Sequence, residues 1–163
     1  MNILAAQVGS ALKSHGLMLV TAESCTGGEV AQAITAVAGS SAWFERGFVT
    51  YSNLSKQQML GVSDSTLACF GAVSEATVRE MVSGALAHSV AQVALAVSGI
   101  AGPDGGTPDR PVGMVWFAWE VKQAGRVSRV HHLPGNRAEI RAQAVIIALQ
   151  GVLDMLTVRS QFA

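Results

Sequence analysis

The chain is short of charge. Of its 163 residues only 13% are Asp, Glu, Lys or Arg, about half the share of an ordinary soluble domain. Lys and Arg number 11 and so do Asp and Glu, a formal net charge of zero. A nucleic-acid binder needs a basic face to displace counterions, so that class is excluded. Half the residues are hydrophobic, which with so little net charge excludes a disordered chain. It also fits either a surface partly covered by a partner subunit or an Ala/Gly/Val-rich monomer with a neutral surface. Long apolar runs are missing as well. The best are 93–97 and 144–149, strand-length or helix-face pieces well below the roughly 20 residues of a membrane span. No basic region precedes the apolar residues of the N-terminus, so no secretory leader is expected. The two cysteines, Cys25 and Cys69, read as free thiols of a reducing compartment. Together these point to a cytoplasmic protein.

Metal and nucleotide-loop signatures are also absent. His15, His88, His131 and His132 include no pair at helical ligand spacing, and adjacent strand residues point to opposite faces. No metal and no cofactor is expected. No glycine of a GxxxxGK[ST] pattern precedes a lysine, so no Walker loop is present.

What is there alternates between strand and helix. Residues 3–13 have helical apolar spacing, and Gly16 suits the left-handed position that ends a helix. Residues 17–21 read as a buried strand, then 30–37 resume helical spacing. Residues 43–51 form an aromatic and β-branched strand. A short helix capped by Asn53 runs to residue 60, and a longer one opens at Ser74. A third strand, 93–97, runs into the glycine- and proline-rich loop 98–108, long for a compact domain and therefore of functional interest. A hairpin, 113–121 with 126–133, turns at Ala124-Gly125, and a last helix covers 136–156. The order predicts one domain over 1–163, a three-layer α/β/α sandwich with a mixed sheet.

Two positions stand out chemically. Ser24 lies in Glu23-Ser24-Cys25-Thr26-Gly27-Gly28, a strand-to-helix turn where backbone N–H groups converge and could hold an oxyanion. The same serine could equally be a helix cap, and Cys25 is a rival nucleophile if the helix lowers its pKa. Lysines are only three: Lys13, Lys56 and Lys122. Lys56 follows the aromatic strand, where desolvation would leave a neutral amine able to accept a proton. A solvated place on a short helix would explain it as well.

Four segments carry a family resemblance in order along almost the whole chain. They are Ala22-Glu23-Ser24-Cys25-Thr26-Gly27-Gly28, Gly47-Phe48-Val49-Thr50-Tyr51-Ser52-Asn53 with Lys56, Gly71-Ala72-Val73-Ser74, and the loop from Ser98 to Gly106. The chain resembles the CinA C-terminal domain family, above all its stand-alone bacterial nicotinamide mononucleotide deamidases. The resemblance implies a Ser/Lys amidohydrolase in which Ser24 is the nucleophile and Lys56 the base. It places Ser41, Tyr51, Thr26, Gly27, Gly28 and Gly102 near the substrate, and Arg137 and Arg141 on its 5′-phosphate. The implied partner is a small molecule, the fold a three-layer sandwich, and the assembly a homo-oligomer. The N-terminal domain of longer CinA proteins has no counterpart in this sequence, and its activity is not carried over. Ser55 stands where the family often has alanine. A competing reading is a paralogue without turnover, acting as a nucleotide-binding or protein-interaction module linked to competence or DNA damage.

Overall fold

A computed structural model describes the backbone of residues 2–162 and the side chains of residues 2–157. Five strands form one mixed sheet: β1 (Leu19–Glu23), β2 (Phe44–Val49), β3 (Val93–Gly99), β4 (Met114–Val121) and β5 (Gly125–His132). Their order is β2-β1-β3-β4-β5. β2 and β3 run parallel to β1, β4 pairs antiparallel with β3, and β5 pairs antiparallel with β4. Helices α1 (Asn2–Ser14), α2 (Glu29–Thr35) and α6 (Arg137–Phe162) and helices α3 (Asn53–Leu60), α4 (Asp64–Phe70) and α5 (Glu75–Ala87) cover opposite faces. The expected three-layer α/β sandwich is the observed fold.

The two faces differ because strand residues alternate sides. On one side Leu19, Val93, Leu95, Val97, Phe117 and Trp119 pack with α1, α2 and α6. On the other, Val20 is followed by alanines, Ala22, Ala94, Ala96 and Ala118, beneath α5. Small residues there let α5 lie close. At Gly84 of α5 a Cβ would sit 1.8 Å from the carbonyl oxygen of Leu60, so α3 ends against α5 with no room for a side chain.

Local chemistry sets the boundaries. α3 is capped by Ser52, which accepts from the Ser55 amide at 3.1 Å. The expected cap, Asn53, is instead the first helical residue. Helix α4 was not expected. It spans seven residues with only Leu67 buried, too short to show a period, and is capped by Ser63. The hairpin turn lies at 122–124, with Gln123 at positive φ and Gly125 already in β5. The consecutive apolar runs of α6 are short, as expected, but over 137–157 it is long and apolar enough, by length and composition, to cross a bilayer. Ile140, Ala144, Val145, Ala148, Leu149, Val152 and Leu156 nevertheless form its stripe in the sheet's core. Both cysteines are free, as expected.

Candidate active site

In open α/β sheets ligands sit beyond the carboxyl ends of parallel strands where the chain reverses its winding. Here that point is the end of β1. β2 lies on one side of it and β3 on the other, and Ser24 is the next residue. The Ser24 amide donates to Val97 O of β3 at 3.0 Å, which seats the serine between the two parallel strands.

Lys56 reaches it from α3. Lys56 and Leu60 are one helical turn apart and are the buried residues of that helix, so the amphipathic face that packs α3 also drives the lysine inward. Lys56 is 1% exposed. Its Nζ donates to Ser24 Oγ at 2.9 Å, to Thr50 O at 2.9 Å and to Tyr51 O at 3.3 Å. Burial lowers its pKa from an ordinary 10.5 to about 8, since no carboxylate stands among these partners to stabilise the charge. A neutral amine has two N–H donors and one lone pair. Carbonyls can only accept, so in the neutral form the two N–H groups go to Thr50 O and Tyr51 O and the Ser24 contact reverses, the hydroxyl donating to the lone pair. Of the two explanations open for Lys56, the structure has the desolvated one.

Cys25 lies beside this pair and is buried, and desolvation raises its thiol to about 11. The helix terminus therefore does not activate it, and the thiol stays protonated near neutral pH.

The turn itself is held from two directions. Glu23, 1% exposed, accepts from Thr26 Oγ1 at 2.6 Å and from the amides of Gly28, Val30 and Ala31 at 3.2, 2.9 and 3.0 Å. It thus caps α2, whose N-cap Gly28 has no side chain to do so. Nothing in the sequence pattern marked Glu23, because a cap is sought adjacent to its helix and this one acts from the preceding strand. From the other side Arg141 of α6 donates to Cys25 O at 3.1 Å and Thr26 O at 3.2 Å and pairs with Glu29 at 3.1 Å.

These bonds narrow the supply of oxyanion donors. The Ser24 amide is used on Val97, that of Gly27 on Ser24 O, and that of Gly28 on Glu23. Among the described residues, the amides of Cys25 and Thr26 are the ones of the turn for which no bond to another residue is seen.

A cavity of about 270 Å³ opens over Ser24 and Lys56, walled by Tyr51, Asn53, Ser98, the 99–102 segment, Asp104 and Arg137. Arg137 donates to Gly102 O at 2.8 Å and to Tyr51 Oη at 3.2 Å, and Ser98 ties in the Ala72 carbonyl at 2.9 Å. Ser24, Lys56, Tyr51, Gly102 and Arg137 are thus brought together as expected. Thr26, Gly27 and Gly28 build the turn behind the cavity and do not line it. Arg141, expected beside Arg137 on a ligand, is instead committed to the turn. Ser41 is not brought to this cavity. It precedes β2, and since β2 runs parallel to β1 it stands at the opposite end of the sheet, roughly 16 Å away by strand rise. A larger apolar groove of about 890 Å³, between β5 and the second half of α6, contains no comparable nucleophile and base.

The family description "CinA C-terminal domain" matches residues 1–156. The chain belongs to the CinA C-terminal domain family. It is 56% identical over 147 residues to the nicotinamide-nucleotide amidohydrolase PncC of Escherichia coli K12, covering 90% of this chain and 89% of that one. It is 51% identical over 158 residues to the protein of the same name from Pseudomonas putida, with 94% and 96% covered. Among solved structures, the competence/damage inducible protein CihA of Agrobacterium tumefaciens superposes with a TM-score of 0.91 at 45% identity, over 96% of this chain and 94% of that one.

Proposed function

We propose that this chain hydrolyses the carboxamide of nicotinamide mononucleotide, giving nicotinate mononucleotide and ammonia, with Ser24 as nucleophile and Lys56 as general base. The observation that carries it is the 2.9 Å contact between the buried Lys56 amine and Ser24 Oγ at the floor of a cavity. The names of relatives more than half identical over nearly their full length support the substrate.

Lys56 takes the Ser24 proton as Oγ bonds to the amide carbon, and the carbonyl pair moves to oxygen. The resulting oxyanion lies within the turn's reach, where the Cys25 and Thr26 amides are its donors; one such donor contributes roughly 3 kcal/mol. Collapse breaks the C–N bond, and the leaving nitrogen takes the proton from Lys56 to depart as ammonia. A water then gives its proton to Lys56 and attacks the ester carbon, and Ser24 leaves with that proton. Arg137, a planar bidentate donor at the cavity wall, is placed to receive the phosphate.

Incubating purified protein with the mononucleotide and measuring ammonia tests the reading. Wild type is expected to turn over, and folded Ser24→Ala to lose at least about a thousandfold in kcat/KM. A Ser24→Ala variant of undiminished activity overturns the dyad. Binding without product in wild type overturns the hydrolase and favours the silent module.

A further inference from the structure

Arg137 and Arg141 are one turn apart on α6 and share a face, yet they do different things. Arg137 lines the cavity. Arg141 points its guanidinium into the back of the nucleophile turn, with Nε on Cys25 O and Nη2 on Thr26 O. A trans peptide is planar, with its C=O and the following N–H on opposite sides. Holding Cys25 O therefore fixes the Thr26 N–H on the side away from Arg141. Holding Thr26 O does the same for Gly27 N–H, and that amide is indeed bonded to Ser24 O at 3.0 Å. The Thr26 amide is one of the two donors of the turn for which no bond to another residue is seen. Glycine at 27, with φ of 57°, would otherwise let the Thr26–Gly27 segment rotate easily. Glu23 anchors the Thr26 side chain but touches neither carbonyl; Thr26 O also accepts from the Glu29 amide at 3.0 Å, whereas Cys25 O is held by Arg141, so it is the Cys25–Thr26 peptide plane that depends on Arg141.

We propose that Arg141 is a positioning residue, orienting the Cys25–Thr26 peptide as an oxyanion donor rather than binding the substrate's phosphate. This rests on the reading of the site as an amidohydrolase that uses Ser24. Removal of Arg141 should act on the chemical step, and should do so whether or not the substrate carries a phosphate.

The test compares Arg141→Met and Arg141→Lys with wild type on nicotinamide mononucleotide and on nicotinamide riboside, which has the same amide without the phosphate. Arg141→Met is expected to lower kcat by about 30- to 100-fold on the nucleotide with KM changed less than threefold, and to lower kcat/KM by the same factor on the riboside. Arg141→Lys, which keeps the charge but loses the planar fork, should fall between. A rise in KM confined to the nucleotide, with riboside turnover unaffected, overturns the proposal and makes Arg141 a phosphate contact. Backbone ¹⁵N relaxation of the Thr26 amide provides a readout without substrate. An order parameter near 0.85 in wild type and below about 0.6 in Arg141→Met is expected, whereas an unchanged value overturns the proposal. If wild type released no ammonia, the amidohydrolase reading would fail, while the relaxation measurement would still decide whether Arg141 orders the turn.

Discussion

The chain has two glycine-rich segments beside the cavity, and they are built in opposite ways. The 24–28 turn is short, and Glu23 to Thr26 are buried. A carboxylate grips it from one side and a guanidinium from the other. The loop after β3 is joined mainly at its base, by Ile100 N to Met114 O at 2.9 Å and Gly113 N to Ile100 O at 2.7 Å, and by Arg137 on Gly102. Its tip, residues 103–109, is exposed throughout. Similar composition thus serves two ends: in the turn glycine lets donors converge and charged side chains then fix them, while in the loop it only lets the chain return. Chemistry that needs donors fixed in advance belongs to the first.

The sharpest break of that contrast is at Lys56, which the turn faces. Lys56→Met is expected to lower kcat/KM by about 10³-fold or more, measured by ammonia release. In wild type kcat/KM should rise with pH and level off above about 8, where the buried amine becomes neutral. The same shift affects stability. Lys56 titrates near 8 when folded and near 10.5 when unfolded, so between those values the unfolded chain holds more protons and stability rises with pH. Below pH 8 the full cost is present, about 3 kcal/mol. Lys56→Met should therefore be more stable than wild type at pH 7 in urea melts, and the gap should close between pH 8 and 10.5.

On the loop side, Arg137→Ala is expected to raise KM for the mononucleotide by about 10- to 100-fold, the worth of a charged hydrogen bond, with kcat little changed and the riboside unaffected. That pattern is the reverse of the one expected at Arg141. Equal behaviour of the two variants would dissolve the distinction between fixed turn and ligand-binding wall.

Glu23→Gln probes the clamp through stability. The carboxylate accepts four bonds, and an amide nitrogen turned toward backbone donors leaves some unmet. A loss of about 1–3 kcal/mol in chemical denaturation is expected. The smallest effect should be at the loop tip. Gly105 has φ of 79° and its added Cβ would come no nearer than 3.7 Å to Ile100. Gly105→Ala should cost only the left-handed strain, about 1 kcal/mol, with kcat/KM within twofold.

Much of this was legible in advance. Apolar runs, β-branched composition and a turn signal marked the five strands, helical spacing and caps marked all helices but α4, and the switch from strand to polar turn to helix marked Ser24. Element edges slipped where capping decided them, as at Ser52. The apolar length of α6 escaped notice because polar residues interrupt every run, although the helix as a whole is apolar. Ser41 carried a resemblance but no geometry, and the parallel pairing of β2 with β1 puts it at the wrong end of the sheet for this cavity.

By itself the sequence determined that a serine would follow the first strand, that lysine would be scarce, and that one lysine would lie just past an aromatic strand. These are local matters of pattern and propensity. Only the tertiary structure decided that Lys56 is dry and 2.9 Å from Ser24, that burial pushes the Cys25 thiol up, and that two arginines one turn apart face a cavity and a turn respectively. Those outcomes depend on which surfaces exclude water and which backbone groups already have partners, and both are properties of packed neighbours distant in the chain.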